Sequence, residues 1–258
     1  MRLTGCLEEM ERRSLLPTDH VAVCCVGSVA RGWANESSDY DFNVITRTPW
    51  VRDASRVIAV PLQPSVVPAV VLHVSGRRWE IKYWAETQVD QMISKVTWER
   101  FEEASAPAKA LVETEELFLE RLSTCLALGG SARLAQYKRA VSESAFRALV
   151  TTRSLAEADS SIEDAAGQLA AGDWDSAVLS ARKALGHTVD ALLESEGSFG
   201  SRIQKWRARR FRETQPKALS FEDYWAMETM RSFSPEAPHI WVNHVIQRCK
   251  DLALEVEI

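Results

Sequence analysis

Residues 21–45 read Val-Ala-Val-Cys-Cys-Val-Gly-Ser-Val-Ala-Arg-Gly-Trp-Ala-Asn-Glu-Ser-Ser-Asp-Tyr-Asp-Phe-Asn-Val-Ile. The apolar run predicts a buried strand over 20–26, ended by Gly27-Ser28. A second run predicts a strand over 40–46, with Asp39 and Asp41 at its start. Side chains alternate along a strand, so these two aspartates share a face and converge on one point. A glycine at the turn lets backbone amides approach a ligand closely, and a serine hydroxyl adds a donor. Two carboxylates facing such a turn suit a hard divalent cation, Mg2+ above all, held between protein and phosphate oxygens.

Outward from this stretch, residues 69–85 contain two extended runs, Ala69–Val74 and Trp79–Trp84, joined by Ser75-Gly76-Arg77. Two such runs across a short glycine-containing turn predict a hairpin. Trp79, Ile81 and Tyr83 then face one way and Glu80 and Lys82 the other, with Trp84 on the Glu80 side. A carboxylate flanked by large apolar residues is a candidate third member of the acidic set. Asp39, Asp41 and Glu80 are therefore the candidate catalytic and metal-ligating residues, able in principle to hold two Mg2+ ions for an in-line displacement at phosphorus.

The ordered set resembles the nucleotidyltransferase superfamily named after DNA polymerase beta. Its motif is an apolar strand, Gly-Ser, about ten residues, Asp-x-Asp entering a strand, and a later strand carboxylate. Here these are Gly27-Ser28, Asp39-x-Asp41 and Glu80. The resemblance covers about residues 15–90 and implies transfer of a nucleoside monophosphate, AMP from ATP in the simplest case, with release of pyrophosphate. It also implies that Gly27 and Ser28 hold the phosphates.

Composition narrows the acceptor. The chain has 258 residues and a net charge of -5, whereas proteins that grip long nucleic acids normally show a basic excess. A small acceptor is expected instead, with no long nucleic acid as partner. No run of about eighteen apolar residues occurs, so no membrane span is expected. The N-terminus is charged early and lacks an apolar signal centre, which predicts a cytoplasmic protein. The five cysteines are odd in number and show no paired C-x-x-C spacing, against both a disulfide framework and a zinc site.

The first hundred residues read as mixed. A helix is expected over Leu7–Leu16, ending before Pro17, another near Val51–Ile58, and a proline-punctuated loop over Val60–Pro68. From about residue 86 the strand signal gives way to helical periodicity. Leu134, Tyr137, Val141, Ala145, Ala148, Thr152 and Leu155 recur at three and four residues, as do Trp174, Ala177, Val178, Ala181, Leu185, Val189 and Leu192. Asp173 is the expected N-cap of the latter, Gly129-Gly130 punctuates two helices, and a last helix is expected over about 239–256. The fold class read from this is α+β. A nucleotidyltransferase domain over residues 1–105 carries a mixed sheet, and an all-α domain follows over 106–258. That order is similar to the antibiotic nucleotidyltransferases, which adenylylate aminoglycoside hydroxyls in a cleft between two such domains.

In the helical half, residues 201–212 are strongly basic (Ser-Arg-Ile-Gln-Lys-Trp-Arg-Ala-Arg-Arg-Phe-Arg). Lys205 and Arg182 are the candidate nucleotide contacts there, since Lys and Arg favour phosphate; the alternative is a solvated helix face packing through Trp206 and Phe211. Arg182 and His187 also stand in the spacing R-x4-H, which resembles the ribonuclease motif of HEPN domains. Lys183 replaces the usual polar residue there, and structural or acceptor-cleft use of Arg182, His187 and Asp190 is the preferred account. The acidic residues Glu157, Asp159, Glu163, Asp164, Asp173 and Asp175 suit either a cationic acceptor or plain solvated surface. Trp33 and Trp84 are candidates to lie beside a base or acceptor ring. Two other functions compete with a small-molecule transferase: protein AMPylation of the antitoxin type, and a non-catalytic nucleotide-binding module.

Overall fold

The computed structural model describes residues 3–50, 54–106 and 109–258. The chain divides into two compact units, one of residues 1–100 and 110–145, the other of 101–109 and 146–258.

The first unit is built on a six-stranded sheet in the order β3-β4-β5-β2-β1-β6. After helix α1 (Cys6–Arg12) come β1 (His20–Val26), the single turn α2 (Gly27–Ala30) and β2 (Tyr40–Thr46). Next are β3 (Arg56–Ala59), β4 (Val66–Val74) and β5 (Arg77–Ala85). Helices α3 (Glu86–Lys95), α4 (Trp98–Glu103) and α5 (Glu113–Thr124) then lead to β6 (Leu126–Gly129) and α6 (Ser131–Glu143). Every pairing is antiparallel except β2 with β5. One face of the sheet carries Val23, Cys25, Phe42, Val44, Trp79, Ile81 and Tyr83, packed with Cys6 and Met10 of α1. Trp50 stacks flat on Tyr83 at 4.4 Å. Alternation sends Asp41, Glu80, Lys82 and Trp84 to the other face, where Trp84 meets Phe118 of α5 at 4.4 Å.

Several expectations fail in this unit: α1 ends at Arg12 and not at Leu16, and β4 begins at Val66, inside the loop expected over 60–68. Residues 56–59 form strand β3, with Ile58 opposite Val67, in place of the second half of the helix expected near 51–58; residues 51–53 lie outside the described residues. Short apolar runs do not distinguish helix from strand, and here the neighbouring strand decides. The strand signal also does not end at residue 86, because Leu126–Gly129 pairs with β1. Gly130, in the left-handed region at φ 66°, turns the chain from that strand into α6.

The second unit is helical: α7 (Phe146–Ala170), α8 (Trp174–Ser195), α9 (Arg207–Thr214), α10 (Phe221–Glu228) and α11 (Pro238–Ala253). The periodicity spanning 134–155 belongs to two helices, interrupted at Ser144, whose backbone is extended, and at Ala145, whose N–H bonds the Val96 carbonyl at 2.8 Å. Asp173 caps α8 by accepting from the Ser176 N–H at 3.2 Å. Small residues (Ala165, Ala177, Ala181, Ala184) let α7 and α8 lie close, and Leu185, Val189, Trp241, Val245 and Leu252 complete the core.

Candidate active site

The apolar strand β1 ends at Val26, which lies opposite Asp41 in the antiparallel ladder. The chain then turns sharply through Gly27, at φ 73°. A Cβ at Gly27 would stand 2.8 Å from Oδ2 of Asp41, so only glycine lets the turn and the carboxylate approach this closely. The Ser28 hydroxyl has no partner among the described residues. Asp41 in turn lies directly opposite Glu80 on the parallel strand β5. Three segments separated by up to 53 positions thus meet at one end of the sheet.

Charge is unevenly distributed there. Burial pushes Asp41 above the usual carboxylate range, opposed by Arg121 and Lys82 and assisted by Glu80 and Asp39. Asp39 is more open and accepts from Nη1 of Arg78 at 2.7 Å. Glu80 is itself buried, which disfavours its charge, but cations on three sides outweigh that and hold it below the usual range. Arg56 donates to it from β3, Lys82 Nζ lies at 3.4 Å and Arg78 Nη2 at 3.6 Å. Burial and the neighbouring Arg121 lower Lys82. Nε of Arg121, on α5, is buried without a hydrogen-bond partner among the described residues.

This cradle of glycine turn, paired aspartates and register-matched glutamate lies within residues 3–117, which match the family of nucleotidyltransferase domains. Over that span the chain is similar to nucleotidyltransferase domains. Over both units it shares its fold, at a TM-score of 0.52 and 12% identity, with a crystal structure of a nucleotidyltransferase-like protein from Exiguobacterium sibiricum; the match covers 98% of this chain and 74% of that one. No curated protein matches the chain.

A nucleotidyltransferase domain generally works with divalent metal, and the donor set fits one such ion. Asp39 and Asp41 offer hard anionic oxygens, and Mg2+ commonly binds through one or two carboxylates plus phosphate oxygens and water. Among the described residues no group of three His, Cys, Asp or Glu side chains is gathered tightly enough to hold a metal ion by itself. The expected third carboxylate is spent on Arg56, Arg78 and Lys82.

Arg56, Arg78 and Arg121 are what the sequence reading missed, whereas Lys82 was legible from its alternation with Glu80. Arg56 and Arg121 come from elements whose place beside the site depends on packing. Trp84 does not lie open beside a ligand: it is buried beneath Phe118. Trp33 is also buried, with the Arg31 guanidinium 4.7 Å from its ring.

In the helical unit Lys205 is exposed, its ammonium 5.4 Å from the Trp206 ring. Arg182 pairs with Glu228 at 3.3 Å. Asp190 is structural, fully buried between Arg207 (2.7 Å) and Arg210 (2.7 Å). The basic segment is therefore no uniform solvated face: two of its arginines are locked inside the unit. Of the acidic stretch, Glu157 is tied to Arg153 and His187, whereas Asp159, Glu163, Asp164, Asp173 and Asp175 are exposed.

Proposed function

We propose that this protein transfers a nucleoside monophosphate, AMP from ATP, to a hydroxyl of a small molecule such as an antibiotic or a biosynthetic intermediate. The supporting observation is the close fit of Gly27 against Asp41, with Glu80 opposite, inside a nucleotidyltransferase domain. The acceptor oxygen attacks the α-phosphorus, the bond to the bridging oxygen breaks, and pyrophosphate leaves. Asp39 and Asp41 are the residues that would hold a Mg2+ ion. The amides near Gly27 and the Ser28 hydroxyl hold the outer phosphates, and Arg182 and Lys205 are further candidates for that contact. A bound Mg2+ supplies neutralisation of the charge that builds on the phosphate oxygens.

The ion pairs of Glu80 favour a second role for it beside metal binding or proton acceptance. By holding Arg56, Arg78 and Lys82 at the site it anchors cations that can turn toward a triphosphate. Once these cations turn toward a triphosphate, Glu80 would be free to take the acceptor's proton or to serve as a further metal ligand.

The test is a screen of labelled nucleotides against aminoglycosides, aminocyclitols and biosynthetic intermediates, read by pyrophosphate release and product mass. Glu80→Gln separates the roles: loss of turnover by about 10²–10⁴-fold with nearly unchanged ATP affinity supports a base. Weakened ATP binding supports the anchor. Absence of nucleotidylated product with every acceptor, together with ATP bound and released unchanged, would leave a binding module.

A further inference from the structure

The strands on the two sides of the paired aspartates differ in charge. On one side β1 delivers the Gly27-Ser28 turn, the proposed seat of the phosphates. On the other side lie β5, β4 and β3, which contain one acid, Glu80, and four Lys or Arg residues. Arg77 faces away from the site, its guanidinium 5.3 Å from the Tyr40 ring. Arg56, Arg78 and Lys82 share the face of Glu80 and gather on its carboxylate. This flank of the site therefore carries two positive charges in excess.

Register explains how the most distant of these cations arrives. Arg56 lies opposite Ala69, and Ala69 opposite Lys82, so the three stand in one row across the sheet. Glu80 stands in the next row, opposite Val71. Ala69 and Val71 are small, and Arg56 crosses β4 above them to donate to Glu80 through Nη2. Glu80 is buried and Arg56 half-exposed, so the guanidinium is pinned at one nitrogen and open at the others. Distance decides what it can serve. At about 4.8 Å between neighbouring strands, β3 lies about 10 Å from β5 but about 19 Å from β1. Arg78, bonded to Asp39 at 2.7 Å, and Lys82, opposite Asn43 on the strand of Asp41, are the cations nearer a triphosphate. Arg56 stands on the far side of Glu80, where an acceptor must bring its hydroxyl if Glu80 is to take the proton.

We propose that the acceptor is an anion: a small hydroxyl compound bearing a carboxylate or phosphate group that Arg56 receives, and not a polycation such as an aminoglycoside. The inference rests on the proposed nucleotidyl transfer and narrows its substrate. Arginine pairs strongly with either oxyanion through charge-assisted hydrogen bonds. The ammonium groups of a polycation would instead meet Arg56 and Lys82 at close range, and like charges repel. In the reaction the acceptor oxygen bonds to the α-phosphorus and its proton passes to Glu80. The bond from phosphorus to the bridging oxygen breaks, and its electron pair leaves on pyrophosphate. The acceptor's own anionic group is unchanged throughout, since its work is to fix the hydroxyl beside Glu80.

To test this, the full chain with Mg·ATP is offered hydroxyl compounds in three sets: hydroxy acids with sugar phosphates, neutral sugars with polyols, and aminoglycosides with aminocyclitols. Pyrophosphate release and product mass are measured. Products are expected from the first set, and the better acceptor within it, hydroxy acid or sugar phosphate, identifies the anionic group. Arg56→Gln is then compared on that acceptor and on its uncharged analogue, the amide of the acid or the free sugar of the phosphate. The loss in kcat/KM should be about ten- to hundredfold greater with the anion, as befits removal of one charge-assisted bond that only the anion makes. Arg56→Lys, which keeps the charge, should recover part of that difference. Equal losses with anion and analogue, as a purely structural Arg56 would give, overturn the proposal. So do products formed as readily from the neutral or cationic sets, and both results leave the transferase reading standing. No product from any set, with ATP bound, defeats that reading and this proposal together.

Discussion

Gly27→Ala tests the site at its tightest point, with Gly32→Ala as its control. Both glycines sit in the left-handed region, at φ 73° and φ 70°. A side chain there costs about 1–2 kcal/mol, offset by about 0.4–1 kcal/mol through the less flexible unfolded chain. Each substitution should therefore lower stability by roughly 1 kcal/mol. The two positions differ in what the new methyl meets. At Gly32 nothing lies within 4 Å, whereas at Gly27 Oδ2 of Asp41 lies at 2.8 Å against the 3.4 Å at which ordinary contact begins. The carboxylate must retreat by about half an ångström, and misplacement by about 1 Å can cost about 10²-fold in rate. Gly27→Ala should thus lose about tenfold or more in Mg·ATP-dependent turnover, while Gly32→Ala keeps it. Urea unfolding and a pyrophosphate-release assay on the same samples measure both quantities. Equal activity in the two variants would refute the claim that Asp41 works where Gly27 places it.

Three further outcomes follow from buried charge. Asp41→Asn should abolish transfer, a loss of at least about 10²-fold, yet raise the metal-free thermal midpoint; since burial lifts this pKa, the wild-type penalty grows as pH rises from the unfolded value through the folded one. Glu194, buried and pushed up to about 7, behaves alike. Its folded pKa lies above the unfolded 4.5, so Glu194→Gln should stabilise the protein at pH 8 and lose that advantage by pH 5, as seen by denaturant titration at both. Asp190→Asn strands Arg210, whose side chain is 0% exposed, and should cost about 3–5 kcal/mol in the same titration, whereas breaking the open Arg182–Glu228 pair should cost under about 1 kcal/mol.

The sequence by itself determined the strands 20–26 and 40–46, the hairpin and the meeting of Gly27, Asp41 and Glu80, because each rests on local rules: alternation, a glycine at a turn, a carboxylate where only apolar neighbours belong. The helix at 174–195 was equally legible, since a capped amphipathic stripe is written within a few turns of chain. What packing decides was not. Residues 56–59 became a strand because β4 offers a ladder, and 126–129 joined the sheet because β1 lacked a partner on that side. The encirclement of Glu80 by Arg56, Arg78 and Lys82 depends on three strands lying in register, with Arg56 reaching across β4. The burial of Arg207 and Arg210 on Asp190 turned part of a basic run from surface into framework. Charges distant in sequence have energies set by distance and desolvation, and both exist only once the chain has folded.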